Sequence, residues 1–198
     1  LFTDKRDPLI SFTAPGAGVV EAIHRGPRRI LQSVVIRLDE DAEDAVTFDT
    51  APRGGIDALT AETIRRTLLA SGLWTAFRTR PYSQVPLPDA KPDAIFVPAI
   101  DTSPLAADPA LVLEGLEADF GAGLRLLAKL TDGPVYVTKA PGACIPAPEL
   151  ERVQVVEFEG PHPAGLVGTH IHFLHPVSAK RTVWHVGYQD VVAIAKLF

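Results

Sequence analysis

An α/β fold with a mostly parallel, three-layer sheet, preceded by a smaller β module, is predicted by the order of the apolar segments. Three observations carry the prediction. Ala94-Ile-Phe-Val-Pro-Ala-Ile100 is an unbroken apolar run of strand length, as expected of a strand covered on both faces. A helical pattern from Asp108-Pro109 to Lys129-Leu130 separates it from two further strand-like runs, Val135-Tyr-Val-Thr138 and Val153-Gln-Val-Val-Glu-Phe158. Strand, helix and strand with short connections make a parallel sheet with helices on its faces. Third, everything before residue 39 alternates short β-patterned runs with Gly and Pro.

In that first part the runs are Leu9-Ile-Ser-Phe12, Gly18-Val-Val-Glu-Ala-Ile23 and Ile30-Leu-Gln-Ser-Val-Val-Ile36. They are split by Ala14-Pro-Gly-Ala-Gly18 and Arg25-Gly-Pro27. Gly and Pro stand where the chain must reverse. About 40 residues bury too little apolar surface to stand alone, so a further sheet upstream of Leu1 is expected to cover these strands. The Ala14–Val20 turn and the strands after it resemble the second half of a lipoyl/biotinyl-type barrel-sandwich hybrid. No lysine sits at a hairpin tip, so the fold is expected without lipoylation or biotinylation. Asp39-Glu-Asp-Ala-Glu-Asp44 reads as a solvated acidic connector.

Thr60 is placed to cap a helix over Ala61–Ala70, with Ile64 and Leu68 on one face and Gly72 as its stop. The following Gly72–Pro86 segment mixes Trp74, Phe77 and Tyr82 with Arg78 and Arg80 and reads as a structured loop. It either binds a ligand or packs the junction with its aromatics while its arginines pair with surface carboxylates. Pro98 points to an edge or strand-end position for its strand. Asp108 and Pro109 suit N-cap and first helical position, and the helix after them is expected to break near Gly115 or Gly121. The carboxyl ends of the strands would bring Asp101, Thr102, Lys139 and Glu159 to one rim, where open α/β sheets collect ligands.

Several function classes are disfavoured. The net charge of −5, with Arg25, Arg28 and Arg29 as the densest basic group around a solvated turn, is unlike a nucleic-acid binder. The single Cys144 cannot form an intrachain disulfide, a cysteine zinc site or a cysteine-ligated cluster from this chain alone. Apolar runs are far shorter than the roughly 20 residues that cross a bilayer. With no Met and an uncapped apolar ending, Val191–Phe198, the chain reads as an internal fragment. Neither G-x-G-x-x-G, G-x-x-x-x-G-K-[ST] nor G-x-S-x-G occurs, and Gly121-Ala-Gly123 falls within a helical pattern.

Five of the six histidines, His162, His170, His172, His175 and His185, lie in one stretch. His170 and His172 would share a face, and so a metal, only on a strand. Pro163 at a first helical position, followed by Leu166, His170, Phe173 and Leu174 at helical spacing up to Pro176, predicts a helix instead. No metal site is therefore assigned. A histidine is left for the sheet rim, as a buried hydrogen-bonded group or a functional one.

Phe12-Thr-Ala-Pro-Gly-Ala-Gly18, Leu31-Gln-Ser-Val-Val-Ile36, Ser71-Gly-Leu-Trp-Thr-Ala-Phe-Arg-Thr-Arg-Pro81, Asp108-Pro109, Gly160-Pro-His-Pro-Ala-Gly-Leu-Val-Gly-Thr-His-Ile-His172 and Val183-Trp-His185 together resemble the A subunit of the bacterial Na⁺-translocating NADH:quinone oxidoreductase. The resemblance implies a partial lipoyl/biotinyl-like β module at residues 1–48. Residues 49–198 would be a Rossmann-like α/β domain, truncated at its C-terminal end and similar to the FMN-binding domain of the NADH dehydrogenase flavoprotein subunit. It implies a non-flavin peripheral subunit on the cytoplasmic side of the bacterial inner membrane, held there by partner subunits that carry the flavins and iron centres. In the flavoprotein relative a Gly-rich loop holds the flavin phosphate where this chain has Leu73–Arg80, and Trp74 and Phe77 would obstruct such an approach. The expected role is quinone interaction and complex assembly, with Trp74, Arg78, Arg80, Tyr82, Thr169, His170 and His172 as candidate quinone-binding residues and ubiquinone as candidate ligand. The alternatives are a purely structural docking module and a residual flavin- or NADH-binding domain. Inactivity of the chain by itself is expected.

Overall fold

The computed structural model describes residues 1–39, 45–48 and 55–198. The acidic stretch expected as a connector lies, apart from Asp39, outside the described residues, as does the expected division at residues 48 and 49 on its second side.

The chain opens with a two-residue ladder: β1 (Phe2–Thr3), which the sequence reading missed, pairs with β2 (Ser11–Phe12), the end of the Leu9–Phe12 run read as β, with the Phe2 and Phe12 rings stacked at 4.7 Å. β3 (Gly18–Arg25) and β4 (Leu31–Leu38) form an antiparallel hairpin whose turn holds Arg28 and Arg29 at positive φ. Their apolar side chains are uncovered: Val19, Val20, Ile23, Leu31, Val35 and Leu38 are all exposed. Residues 1–13, by contrast, are fastened to the rest of the molecule. Ile10 is 0% exposed within the main core, Thr13 Oγ1 donates to the Ser71 carbonyl at 3.2 Å, and Arg6 reaches Gln84 and Val85.

α1 (Ala61–Ser71) begins where the Thr60 hydroxyl accepts from the Thr63 N–H at 3.2 Å and ends on Gly72, whose φ of 83° favours glycine. Ile64 and Leu68 face the core as their spacing predicts. A short 3₁₀ turn, Leu73–Ala76, leads into β5 (Arg78–Arg80). β6 (Ala94–Ala99) follows, then α2 (Pro109–Val112), capped by Asp108 accepting from the Ala110 N–H at 2.9 Å. The break in the helical pattern is at Gly115, which takes φ of 77°; Gly121 stays inside α3 (Glu117–Ala128). Just past α3, the Lys129 ammonium donates to the carbonyls of Ile56, Asp57 and Leu59 at 3.1, 2.6 and 2.9 Å. β7 (Val135–Lys139), β8 (Val153–Glu157), α4 (Val167–Leu174), β9 (Val183–His185) and α5 (Tyr188–Leu197) complete the chain.

Five strands make one mixed sheet in the order β5-β9-β6-β7-β8, with β5 antiparallel at one edge and the other four parallel. β9 arrives last yet is inserted between β5 and β6. The Val183-Trp-His185 motif and the apolar C-terminal run are thus a strand and a helix. Of the two positions expected for Pro98 the strand end holds and the edge does not: β6 is central, and Pro98 is its penultimate residue, beyond the Ala94–Phe96 ladder with β9. Alternation along the strands builds two cores. Ile95, Val97, Val135, Val137 and Trp184 face Ile64, Leu68, Phe120, Leu124, Val191 and Ile194; Ala94, Phe96, Tyr136 and Val183 face Ile171 of α4. The sheet therefore lies between helices. α3 and α5 pack closely because Gly123 has no side chain: a Cβ there would stand 2.3 Å from the Val191 carbonyl oxygen.

Candidate functional site

Because β6, β7, β8 and β9 run parallel, their carboxyl ends meet along one rim, and the segment 158–166 crosses it. Thr102, beyond β6, accepts the Gly165 N–H at 3.0 Å and pairs with His162 Nδ1 at 3.1 Å. Gly165 fits so close that a Cβ would lie 2.4 Å from the Thr102 nitrogen. Thr138, at the end of β7, meets His170 Nδ1 at 2.9 Å, while His170 Nε2 lies 2.8 Å from the Ala164 carbonyl. A carbonyl only accepts, so Nε2 carries the proton and Nδ1 accepts from the Thr138 hydroxyl. Burial holds His170 below the ordinary imidazole range, opposed by its bond to Ala164. Thr169 donates to the Pro163 carbonyl at 2.9 Å, and the Phe158 ring lies 4.3 Å from the His170 ring.

These bonds explain two departures from the sequence reading. Pro163 is not the first helical residue: residues 163–166 form a turn held onto Thr102, and the helix starts at Val167. Its inward face is accordingly rotated. Val167, His170, Ile171 and Leu174 turn to the sheet, whereas Phe173 and Leu166, expected inside, are exposed. His170 is fully buried and His172 is exposed, so they point apart as helical spacing requires.

Other rim groups also engage one another. Lys139 forms an ion pair with Glu157 at 3.0 Å and donates to the Ala143 carbonyl, and Asp101 accepts the Ser103 N–H at 2.8 Å. Hydrogen bonds from Ser103 hold the Asp101 carboxyl below its usual range, and the Lys139 ammonium does the same for Glu157.

A second polar group sits at the β5–β9 edge. Arg78 pairs in register with His185, and Arg80 with Val183, which puts both arginines on the sheet face that α4 covers. Arg78 Nη1 turns back onto the carbonyls of Thr75 and Phe77. His185 Nε2 is buried and makes no hydrogen bond among the described residues. Burial first, then Arg80 and Arg78, push its pKa down to about 4. Asp190 nearby is raised by its burial.

The seven candidate residues are therefore not brought into one cavity. Trp74 lies on the opposite face from His170, fully buried, its Nε1 donating to the Pro86 carbonyl at 2.9 Å and its ring packed against Phe77 and Trp184. Tyr82 is 86% exposed, so it does not pack the junction as Trp74 and Phe77 do. Thr169 and His170 belong to the rim, while Arg78 and Arg80 belong to the β5–β9 edge. The sequence reading passed over Trp184 and His185 as site residues; a three-residue strand carries no period that could have singled them out.

Residues 59–198 match the family profile described as the NqrA second alpha/beta domain, and residues 1–39 match the NqrA N-terminal barrel-sandwich hybrid domain. The chain belongs to the NqrA family. Its α/β part with a mixed sheet and its β module correspond to those two matches. Over all 198 residues it is 57% identical to the A subunit of the Na(+)-translocating NADH-quinone reductase of Shewanella amazonensis, 52% to that of Pasteurella multocida and 55% to that of Pseudomonas aeruginosa. In each case the alignment takes in 100% of this chain and 44% of the relative, so the chain spans less than half the length of these NqrA relatives. Among the described residues no helix is long and apolar enough to cross a membrane.

Proposed function

We propose that this chain serves, as part of the A subunit of a Na⁺-translocating NADH:quinone reductase, as a peripheral non-flavin module for quinone interaction and complex assembly. It would lie on the cytoplasmic side of the bacterial inner membrane, joined to the membrane by partner subunits that hold the flavins and iron centres. The same proposal divides the chain at residues 48 and 49 and reads the α/β part as a degenerate relative of the flavoprotein FMN-binding domain. The mixed sheet with helices on both faces supports that likeness. One observation carries the non-flavin reading. Trp74 and Phe77, both 0% exposed, fill the turn where a phosphate-holding loop would need bare backbone N–H groups. The test is the quinone dependence of the assembled complex. Arg80→Gln and His170→Gln are expected to raise KM for quinone or weaken inhibition, and unchanged values for both would count against a quinone site at the rim and at the β5–β9 edge.

A purely structural docking role is favoured by a different observation. The rim groups satisfy one another, while the β3–β4 hairpin leaves Val19, Val20, Ile23, Leu31, Val35 and Leu38 uncovered. Normal quinone reduction by a complex assembled without residues 55–198 would establish that reading instead.

A further inference from the structure

The β5 margin of the sheet carries positive charge that its surroundings leave unbalanced. Arg78 and Arg80 stand two residues apart on this edge strand, so they share a face with their Cβ atoms about 7 Å apart. Register fixes which face: Arg78 lies opposite His185, and Arg80 opposite Val183, a member of the core under α4. Both arginines are half-buried.

Arg80 differs from every other half-buried lysine or arginine among the described residues. Arg65 and Lys129 donate to backbone carbonyls, while Arg125 and Lys139 pair with Asp57 and Glu157. Arg78 turns one nitrogen, Nη1, onto the carbonyls of Thr75 and Phe77. The Arg80 guanidinium makes neither a hydrogen bond nor an ion pair among the described residues. Asp190 acts on Arg78 from α5, although no ion pair joins them. The local field is positive, since Arg80 and then Arg78 add to burial in holding the His185 pKa at about 4. A guanidinium only donates, keeps its charge, and loses hydration when half-buried. What completes this margin is therefore an acceptor with negative charge.

We propose that Arg78 and Arg80 form a phosphate site at the β5–β9 edge, with the Arg80 fork on two oxygens of a phosphate monoester and Arg78 as the second cation. Two fixed cations match the nearly two charges of such a group at neutral pH, and the guanidinium fork matches its oxygens. A carboxylate brings one charge and a quinone carbonyl none. The ligand thus lies beyond the quinone reading and does not depend on it.

Isothermal titration of glycerol 3-phosphate into the full-length subunit tests it, with thermal unfolding run beside each variant. Wild type is expected to bind, Arg80→Gln to lose about tenfold in affinity, and Arg80→Lys, which keeps the charge without the fork, about threefold. Arg80→Lys decides the matter if Arg80→Gln lowers the melting temperature. Acetate is expected to bind about tenfold more weakly than the phosphate ester. The double variant Arg28→Gln/Arg29→Gln removes two charges from the hairpin turn and is expected to stay within about twofold of wild type. Vesicles of phosphatidylcholine with phosphatidic acid present the same monoester on a lipid. Their capture of wild type but not of Arg80→Gln makes a lipid head group the source, and binding of glycerol 3-phosphate alone makes it a soluble ester. No binding of either probe by wild type, equal affinity of wild type and both Arg80 variants, equal affinity for acetate, or an equal loss in the hairpin variant overturns the site. Each of those results leaves quinone interaction standing, because that is read separately from KM in the assembled complex.

Discussion

The β3–β4 hairpin and the five-stranded sheet are both rich in Val and Ile, and both satisfy their backbone by ladder bonds, yet they differ in what covers them. Along β6, Ala94 to Val97 are all 0% exposed. In β3, Val19 is 60% and Ile23 55% exposed. Pairing is local and can be completed by two segments joined through a turn, whereas cover needs a second layer from elsewhere in the chain. The difference teaches that an apolar β pattern reports a demand for burial, and that only tertiary packing meets it.

The largest expected effect lies at the centre of the covered sheet. Trp184→Ala should lose about 3–5 kcal/mol in urea unfolding. A loss near that of a surface substitution would show the two regions to be energetically alike. Next comes a pH effect confined to the sheet. His185 has its folded pKa lowered to about 4, below its unfolded value, so the unfolded chain binds the extra proton between those two values. The stability this gives is fully present above about pH 6.5 and is lost as pH falls towards 4, by about 3 kcal/mol in all. His185→Gln should flatten the urea midpoint across that window, and a midpoint that keeps its slope would assign it to other groups.

Two glycines sharpen the contrast between tight and open packing. Gly123→Val should cost about 1–3 kcal/mol, since its side chain would meet the Val191 backbone. Gly168→Ala in α4, where a Cβ meets nothing within 4 Å, should instead gain about 0.5–1 kcal/mol in thermal unfolding. The smallest effect belongs to the hairpin. Ile23→Thr should change stability by no more than about 0.5 kcal/mol. A cost of several kcal/mol there would mean that the hairpin is covered in solution, and would break the comparison.

Features whose cause is local were legible in the sequence. Thr60 caps α1 and Asp108 caps α2 because an oxygen acceptor just before a helical pattern answers a need that exists in any fold. The apolar run at 94–100 is a strand for the same kind of reason. β5 and β9 were not legible, since three residues show no period, and placing β9 between β5 and β6 is a tertiary choice. The helix with His170 was foreseen, but its rotation was not, because the bonds of Gly165 and His162 to Thr102 come from 60 or more residues away. Among the candidate residues, spacing told His170 from His172, but nothing local distinguished the satisfied indole of Trp74 from the unsatisfied one of Trp184.

Lys129 carries a further consequence. Its three ammonium protons point to three carbonyls within a four-residue span, so the charge ties residues 56–59 to the end of α3 without any carboxylate. A planar guanidinium cannot converge on three oxygens in that way, and a neutral acylated amine has a single proton to offer. At this position the geometry of one cation, beyond its charge, sets where the chain enters the α/β core, and exchange of lysine for arginine is not a conservative change.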